Sequence, residues 1–500
     1  MPIELVNRVI STIQPSDHPY LQDAWTPNYE EYNATDMETI GRIPDDIDGV
    51  YVRNTENQVH QAIGRYHPFD GDGMIHMMRF HKGKAEYRNR FVRTRGFMAE
   101  QQAGHSLWAG LMEDPRKSLR PGGCTQGALK DSSSTDVVVH AGMILSTFYQ
   151  CGEGYRLDPY TLEQTGIERW VPLDGISALT KLDEETGELL FFNYSKHAPY
   201  MHYGVVDRLN RLTHMTPIPL PGPRLPHDMA FSKNYSILND FPLFWDPELL
   251  KRNIHVVKFH RDMPSRFAVI PRYGNAKDIR WFEAKPTFVL HWLNAYEEGD
   301  EVILDGYFED DPEPKSHLDA PKGYERMMAY LDQSLIKPRL HRWRFNLKTG
   351  KSVEQRLDNR DLEFGMFNQK YAGRKYRYAY SAIPRPGWFM FTGLVKHDLD
   401  KGTSVSVSLG ERRYASESPF VPRLNAKSED DGYLVSFVTD MVANRSECVL
   451  IDALKLEAGP VCRIFLPHRI SCGTHSTWAS AEDISVARKA LAEAAAKAAA

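Results

Sequence analysis

HRWRFNLKTGKSVEQ, residues 341–355, alternates polar and apolar positions, turns through Leu347-Lys-Thr-Gly350 and then resumes. A period of two puts successive side chains on opposite faces of a strand, and a short glycine-bearing turn joins two such strands. The same rhythm returns in YRLDPYTLEQTG at 155–166 and in CVLIDALKLEAGPVCRIFLP at 448–467. Around these three segments lie many short runs of the same character. They include 49–53, 137–140, 143–149, 189–193, 266–270, 287–291, 302–307, 388–391, 404–409, 433–438 and 448–452. Turn signals such as Asp72-Gly73 and Glu184-Glu-Thr-Gly187 separate them, so the chain is all-β with many short strands. Strand, turn, strand units in series suit the blades of a propeller, which leaves only short, protected edges. Their spacing is too irregular to count the blades.

Helical interruptions are predicted near 319–333 and at the end of the chain. There, VARKALAEAAAKAAA at 486–500 is alanine-rich, and alanine has the highest helix propensity. The organisation expected is one domain over residues 1–480 and a helical tail over 481–500, the tail being a linker or an appended segment.

The 500 residues are 42% apolar and carry a net charge of −5. That balance gives no basic excess for nucleic acid or anionic membranes. The five cysteines, Cys124, Cys151, Cys448, Cys462 and Cys472, show no CxxC pairing. This argues against a zinc ribbon or a disulfide framework and fits a reducing cytoplasm. With no basic leader and no run of 18 apolar residues, neither export nor membrane insertion is expected.

Three histidines stand out from ordinary surface loops. His227 follows the proline-rich segment 217–223 and opens HDMAFSKNYSILNDFPLFWD; His291 ends the apolar run PTFVLH; His475 closes LPHRISCGTH at a glycine turn. Imidazole is a ligand for iron, copper, nickel and zinc, and an all-nitrogen site with open positions suits Fe(II) with O2 and a substrate. Any one of them alone reads more readily as a packed, hydrogen-bonded side chain.

Seven ordered segments change that balance: GVYVRN (49–54), YHPFDGDGMIH (66–76), HDMAFSKNYSILNDFPL (227–243), HWLNAYE (291–297), YAGRKYRYAYS (371–381), SEDDGYL (428–434) and LPHRISCGTH (466–475). In these segments the chain resembles the carotenoid cleavage oxygenases from about Gly41 to about Trp478. FFNYSKHAPYMHYGVVD at 191–207 and YQCGEGYRLDPYTLE at 149–163 are similar to the lignostilbene dioxygenase and isoeugenol monooxygenase branch. The resemblance implies a seven-bladed β-propeller with a loop and helix cap over an axial Fe(II) held by four histidines. His227, His291 and His475 stand at three of those positions. It also implies outer carboxylates that accept the second ring N–H of ligand imidazoles, and Glu363 and Glu429 fall at two such places.

The first ligand position departs from the family pattern. GISALTKLDEETGELLFF puts Leu179 where the family has a histidine, and a third outer glutamate falls near Gln150, with Glu153 close by. Three readings of Leu179 stay open: a weakened three-histidine site, a replacement by His197 or His202, or a fold without iron chemistry. For the branch, the implied reaction is O2-dependent cleavage of a C=C bond conjugated to a 4-hydroxyphenyl ring. The products are benzaldehydes such as vanillin. Phe69 matches an aromatic wall position, and Tyr149 stands where the branch often has a lysine beside the phenol. The rival readings are an apocarotenoid cleaver with a longer apolar tunnel and a propeller that binds an aromatic ligand without turnover. A hydrolase finds no support, for neither a GxSxG elbow nor an HExxH helix is present.

Overall fold

The computed structural model describes residues 2–123, 129–251, 257–313 and 325–499. Seven antiparallel sheets stand around one axis as the blades of a propeller. Blades two to six are four-stranded and run through the chain in order. Their inner strands are Asp136–His140, Lys181–Asp183, Ala230–Phe231, Trp292–Glu298 and Glu363–Met366. In blade seven the inner edge is split into Arg413–Tyr414 and Phe420–Pro422, both paired with Gly432–Asp440.

The ring is closed from both directions. The late strand Gly473–Ser480 pairs with Gly49–Asn57 as the inner strand of blade one. Conversely, the early strand Thr39–Gly41 pairs with Pro460–Phe465 at the outside of blade seven. Buried Arg53 braces this seam, donating to the Phe437 carbonyl at 3.2 Å and the Ser471 carbonyl at 2.8 Å. The blades pack through alternating apolar faces, as in the cluster of Phe267, Trp292, Trp343 and Phe345 between blades four and five.

Most of the expected strands form, with two corrections. Residues 287–290 are not a strand, and His291 lies just before Trp292–Glu298. In 388–391 only Phe391 is in a strand, because Gly387 at φ +84° turns the chain tightly there. Of the helix expected over 319–333, the described part is Glu325–Leu331, and 319–324 lie outside the described residues. Cys124 also lies outside them, while the other four cysteines are buried and form no disulfide. No helix among the described residues is long and apolar enough to cross a membrane.

The tail over 481–500 is a helix, Ala481–Ala499, and it is docked rather than free. Ile484 is buried in the core between blades one and two. Arg488 bonds the Gly142 carbonyl at 3.1 Å and Asp158 at 2.6 Å.

Candidate metal centre

Each blade brings one residue to the top of its inner strand, and these seven side chains ring the axis. In blade order from the last strand they are His475, Asp136, Leu179, His227, His291, Glu363 and Glu417. Asp228 fixes the spacing on one side. Its carboxylate accepts the Trp292 N–H at 2.8 Å, its own neighbour's N–H at 2.7 Å and the Lys181 ammonium at 2.7 Å. Blades three, four and five are thereby tied together beside His227 and His291. Gly306 helps as well, since a Cβ there would meet the Trp292 ring at 2.4 Å. With glycine the indole lies flat across the neighbouring strand and holds the residue before it.

His227, His291 and His475 converge, each with one ring nitrogen within 4.8 Å of the others. The His291 and His475 ring centroids are 4.7 Å apart, and those of His227 and His291 5.4 Å. Glu363 Oε2 lies 2.5 Å from His291 Nδ1 and also accepts the Phe364 N–H at 2.6 Å. With Glu363 ionised, as a bound cation would favour, the His291 proton sits on Nδ1 and Nε2 is left as a bare acceptor. That Nε2 is buried with no hydrogen-bond partner, as expected of a nitrogen whose natural partner is a cation. Glu417 plays the matching part for His475, at 3.4 Å from Nδ1, and is itself held by the Ser476 N–H at 2.6 Å.

The electrostatics favour neutral donors. Burial holds His227 and His291 well below the ordinary imidazole pKa, and the neighbouring imidazoles add to this. Burial also opposes a charge on His475, but the Glu417 carboxylate outweighs it and draws the pKa upward. Burial pushes Glu363 up to about 8. A dication among these rings would reverse both trends, because it favours neutral imidazole and ionised carboxylate. The donor set therefore fits a metal ion on three sides.

The fourth side does not. Leu179 is 5% exposed, offers no donor atom and sits at φ +62°, with its N–H bonded to Asp136 Oδ2 at 2.9 Å. Among the described residues neither proposed replacement joins the cluster. His202 bonds Asn193 on the neighbouring strand, and His197 lies in an exposed loop.

On one side of the histidines is an aromatic group. Phe364 stacks on His291 at 4.8 Å and meets Phe389 at 5.7 Å. Phe69 contacts Phe389 at 5.7 Å and Tyr149 at 6.1 Å, and Tyr149 in turn lies 5.9 Å from His227. On the other side, a cavity of about 320 Å³ runs along the axis, walled by the residues that follow the donors on the inner strands. His291, His475 and Leu179 stand at one end of it, and Ile484, Val486, Ala487 and Ala490 of the terminal helix at the other.

The retinal pigment epithelial membrane protein (RPE65) family matches residues 25–480. The chain belongs to the carotenoid cleavage oxygenase family. The chain is 32% identical over 482 residues to an isoeugenol monooxygenase of Pseudomonas putida, covering 92% of this chain and 98% of that one. It is equally 32% identical over 508 residues to a carotenoid 9,10(9',10')-cleavage dioxygenase 1 of Pisum sativum, covering 93% and 91%. A lignostilbene dioxygenase structure from Pseudomonas brassicacearum superimposes with a TM-score of 0.81 at 26% identity, covering 94% and 100%.

One expected site residue is corrected. Glu429 accepts the backbone N–H groups of Arg377 and Tyr378, each at 2.8 Å, and so stabilises a turn instead of a ligand imidazole. Glu417, from SESPF at 416–420, has the place beside His475. Sequence reading passed over Glu417 because a lone glutamate in a serine-rich stretch carries no periodic or spacing signal. Asp136 was missed for the same reason, hidden at the start of an ordinary strand. Gln150 lies next to Tyr149 and hydrogen-bonds it.

Proposed function

We propose that this member of the carotenoid cleavage oxygenase family is a non-haem Fe(II) enzyme of the phenylpropanoid type. It cleaves the C=C bond of an isoeugenol-like, vinylguaiacol-like or hydroxystilbene substrate to an aromatic aldehyde such as vanillin, and Leu179 impairs its turnover. The observation that carries the reading is the meeting of three histidine donors with an aromatic wall beside them. His227, His291 and His475 would hold the ion, which when bound supplies the O2 activation that alkene cleavage requires.

The chain's own residues do the rest. Glu363 and Glu417 keep the His291 and His475 rings turned with Nε2 inward and contribute negative charge against the dication. Phe69, Phe364 and Phe389 give a flat conjugated substrate faces to lie against and exclude water from the reacting bond. Burial keeps the Tyr149 phenol protonated, so it can donate a hydrogen bond to a substrate phenol oxygen. Lacking a lysine's charge, it polarises that oxygen less strongly.

Leu179 also favours a second reading, a propeller that binds an aromatic alkene without turning it over. The deciding experiment measures iron content and aldehyde release from isoeugenol and a hydroxystilbene, under Fe(II) and air, for this chain beside Leu179→His. The expected result is near one iron and a gain of turnover in the histidine variant. If both proteins stay free of iron and inert, the enzymatic reading fails.

A further inference from the structure

The axial cavity is more than the underside of the metal centre. Six acidic residues line it, Asp136, Glu184, Glu185, Asp228, Glu417 and Asp483, of which Glu185 is paired with Arg374 at 2.6 Å. Among the described residues, the lysines and arginines that line it are Lys181, paired with Asp228 at 2.7 Å, and Arg208. Glu184 and Asp483 approach each other at the far end, where the terminal helix lies. At the near end is the unpartnered, buried Nε2 of His291. The aromatic side offers a hydrated dication nothing comparable, since Phe69, Phe364 and Phe389 have no oxygen to replace its water.

We infer that the axial cavity is the path by which a divalent cation reaches the three histidines, with Glu184 and Asp483 under the terminal helix forming its entrance. The inference rests on the metal-centre reading above and adds to it a route. A low-dielectric passage lined by one sign of charge focuses the field and concentrates the counter-ion, which raises the rate of capture. The terminal helix begins at residue 481, immediately after the segment that matches the family. Its docking through Ile484 and Arg488 thus sets the width of the entrance independently of the donors.

The test uses the full chain stripped of metal, with Co(II) alone as the probe. It follows uptake by visible absorption and release into a chelator. At about pH 8, above the Glu184 value of about 7, Glu184→Gln/Asp483→Asn removes charge at the entrance, and Ala487→Trp fills it; neither alters a donor. The charge variant is expected to take up Co(II) about tenfold more slowly at low ionic strength. It should match the parent in about 1 M salt, where screening reaches only about 3 Å. The Ala487→Trp variant should slow uptake and release by the same factor and leave the affinity unchanged. Equal rates in all three proteins, or uptake blocked by isoeugenol and untouched by the entrance variants, would overturn the inference. If this chain holds no Co(II) at equilibrium, the three-histidine site itself has failed. The same rate comparison in a Leu179→His background then decides the route separately.

Discussion

Leu179 occupies backbone that suits another residue. Its φ of +62° lies in the left-handed region, where the Cβ of an L-residue crowds the following carbonyl at a cost of roughly 1–2 kcal/mol. Histidine is found at positive φ several times more often than most residues, and the slot is held from outside by the Asp136 bond to the Leu179 N–H. Leu179→His is therefore expected to fold as well as the parent, with a melting temperature unchanged or raised, as scanning calorimetry would record. The two axial glutamates make a sharper pair of predictions. Glu363→Gln and Glu417→Gln each remove a carboxylate that orients a donor imidazole, and each should weaken metal affinity about 10–100-fold in chelator competition. Glu429→Gln should leave that affinity as it is, because its carboxylate serves only the turn at Arg377 and Tyr378.

At the scale of elements, alternation and turn chemistry made the strands legible, and 341–355 forms the outer pair Pro338–Asn346 and Ser352–Arg356 of one blade. Apolar character without alternation misled at 287–291, where residues approach the axis as irregular chain and are buried for the sake of the site. Three donors could be picked out because they stand in long, distinctive segments. Glu417 could not, since its role depends on a break between two short strands that no local pattern announces. The terminal helix was legible from its alanines, but its docking comes from Ile484 and Arg488.

That docking carries a pH dependence. Crowding by the helix raises the solvent-facing Glu184 carboxyl to about 7, with Asp483 and Asp183 adding to the rise and Lys370 opposing it. A raised carboxyl pKa means the docked state binds the proton more tightly. Its stabilising effect is complete below the free value of about 4.3 and is lost as pH rises through about 7. Amide exchange in Ile484–Ala490 should accordingly quicken between these limits, and Glu184→Gln should flatten the dependence.

For the whole molecule, the seam between blades one and seven decides cohesion. Arg53→Met would remove the Arg53 donor from the Ser471 carbonyl and leave the Phe437 carbonyl with only the long bond from the Ser436 hydroxyl. Each buried acceptor left unpaired costs about 1–3 kcal/mol, so the denaturant midpoint should fall clearly while the metal donors stay intact. The same closure has a consequence for biosynthesis. His475 lies on the strand that seals the ring, and its partners His227 and His291 come from blades four and five. A nascent chain still on the ribosome has blades two to six available to fold but lacks the third donor until the strand Gly473–Ser480 emerges. A three-histidine cluster completed only at ring closure would capture an ion only once the scaffold around it is in place.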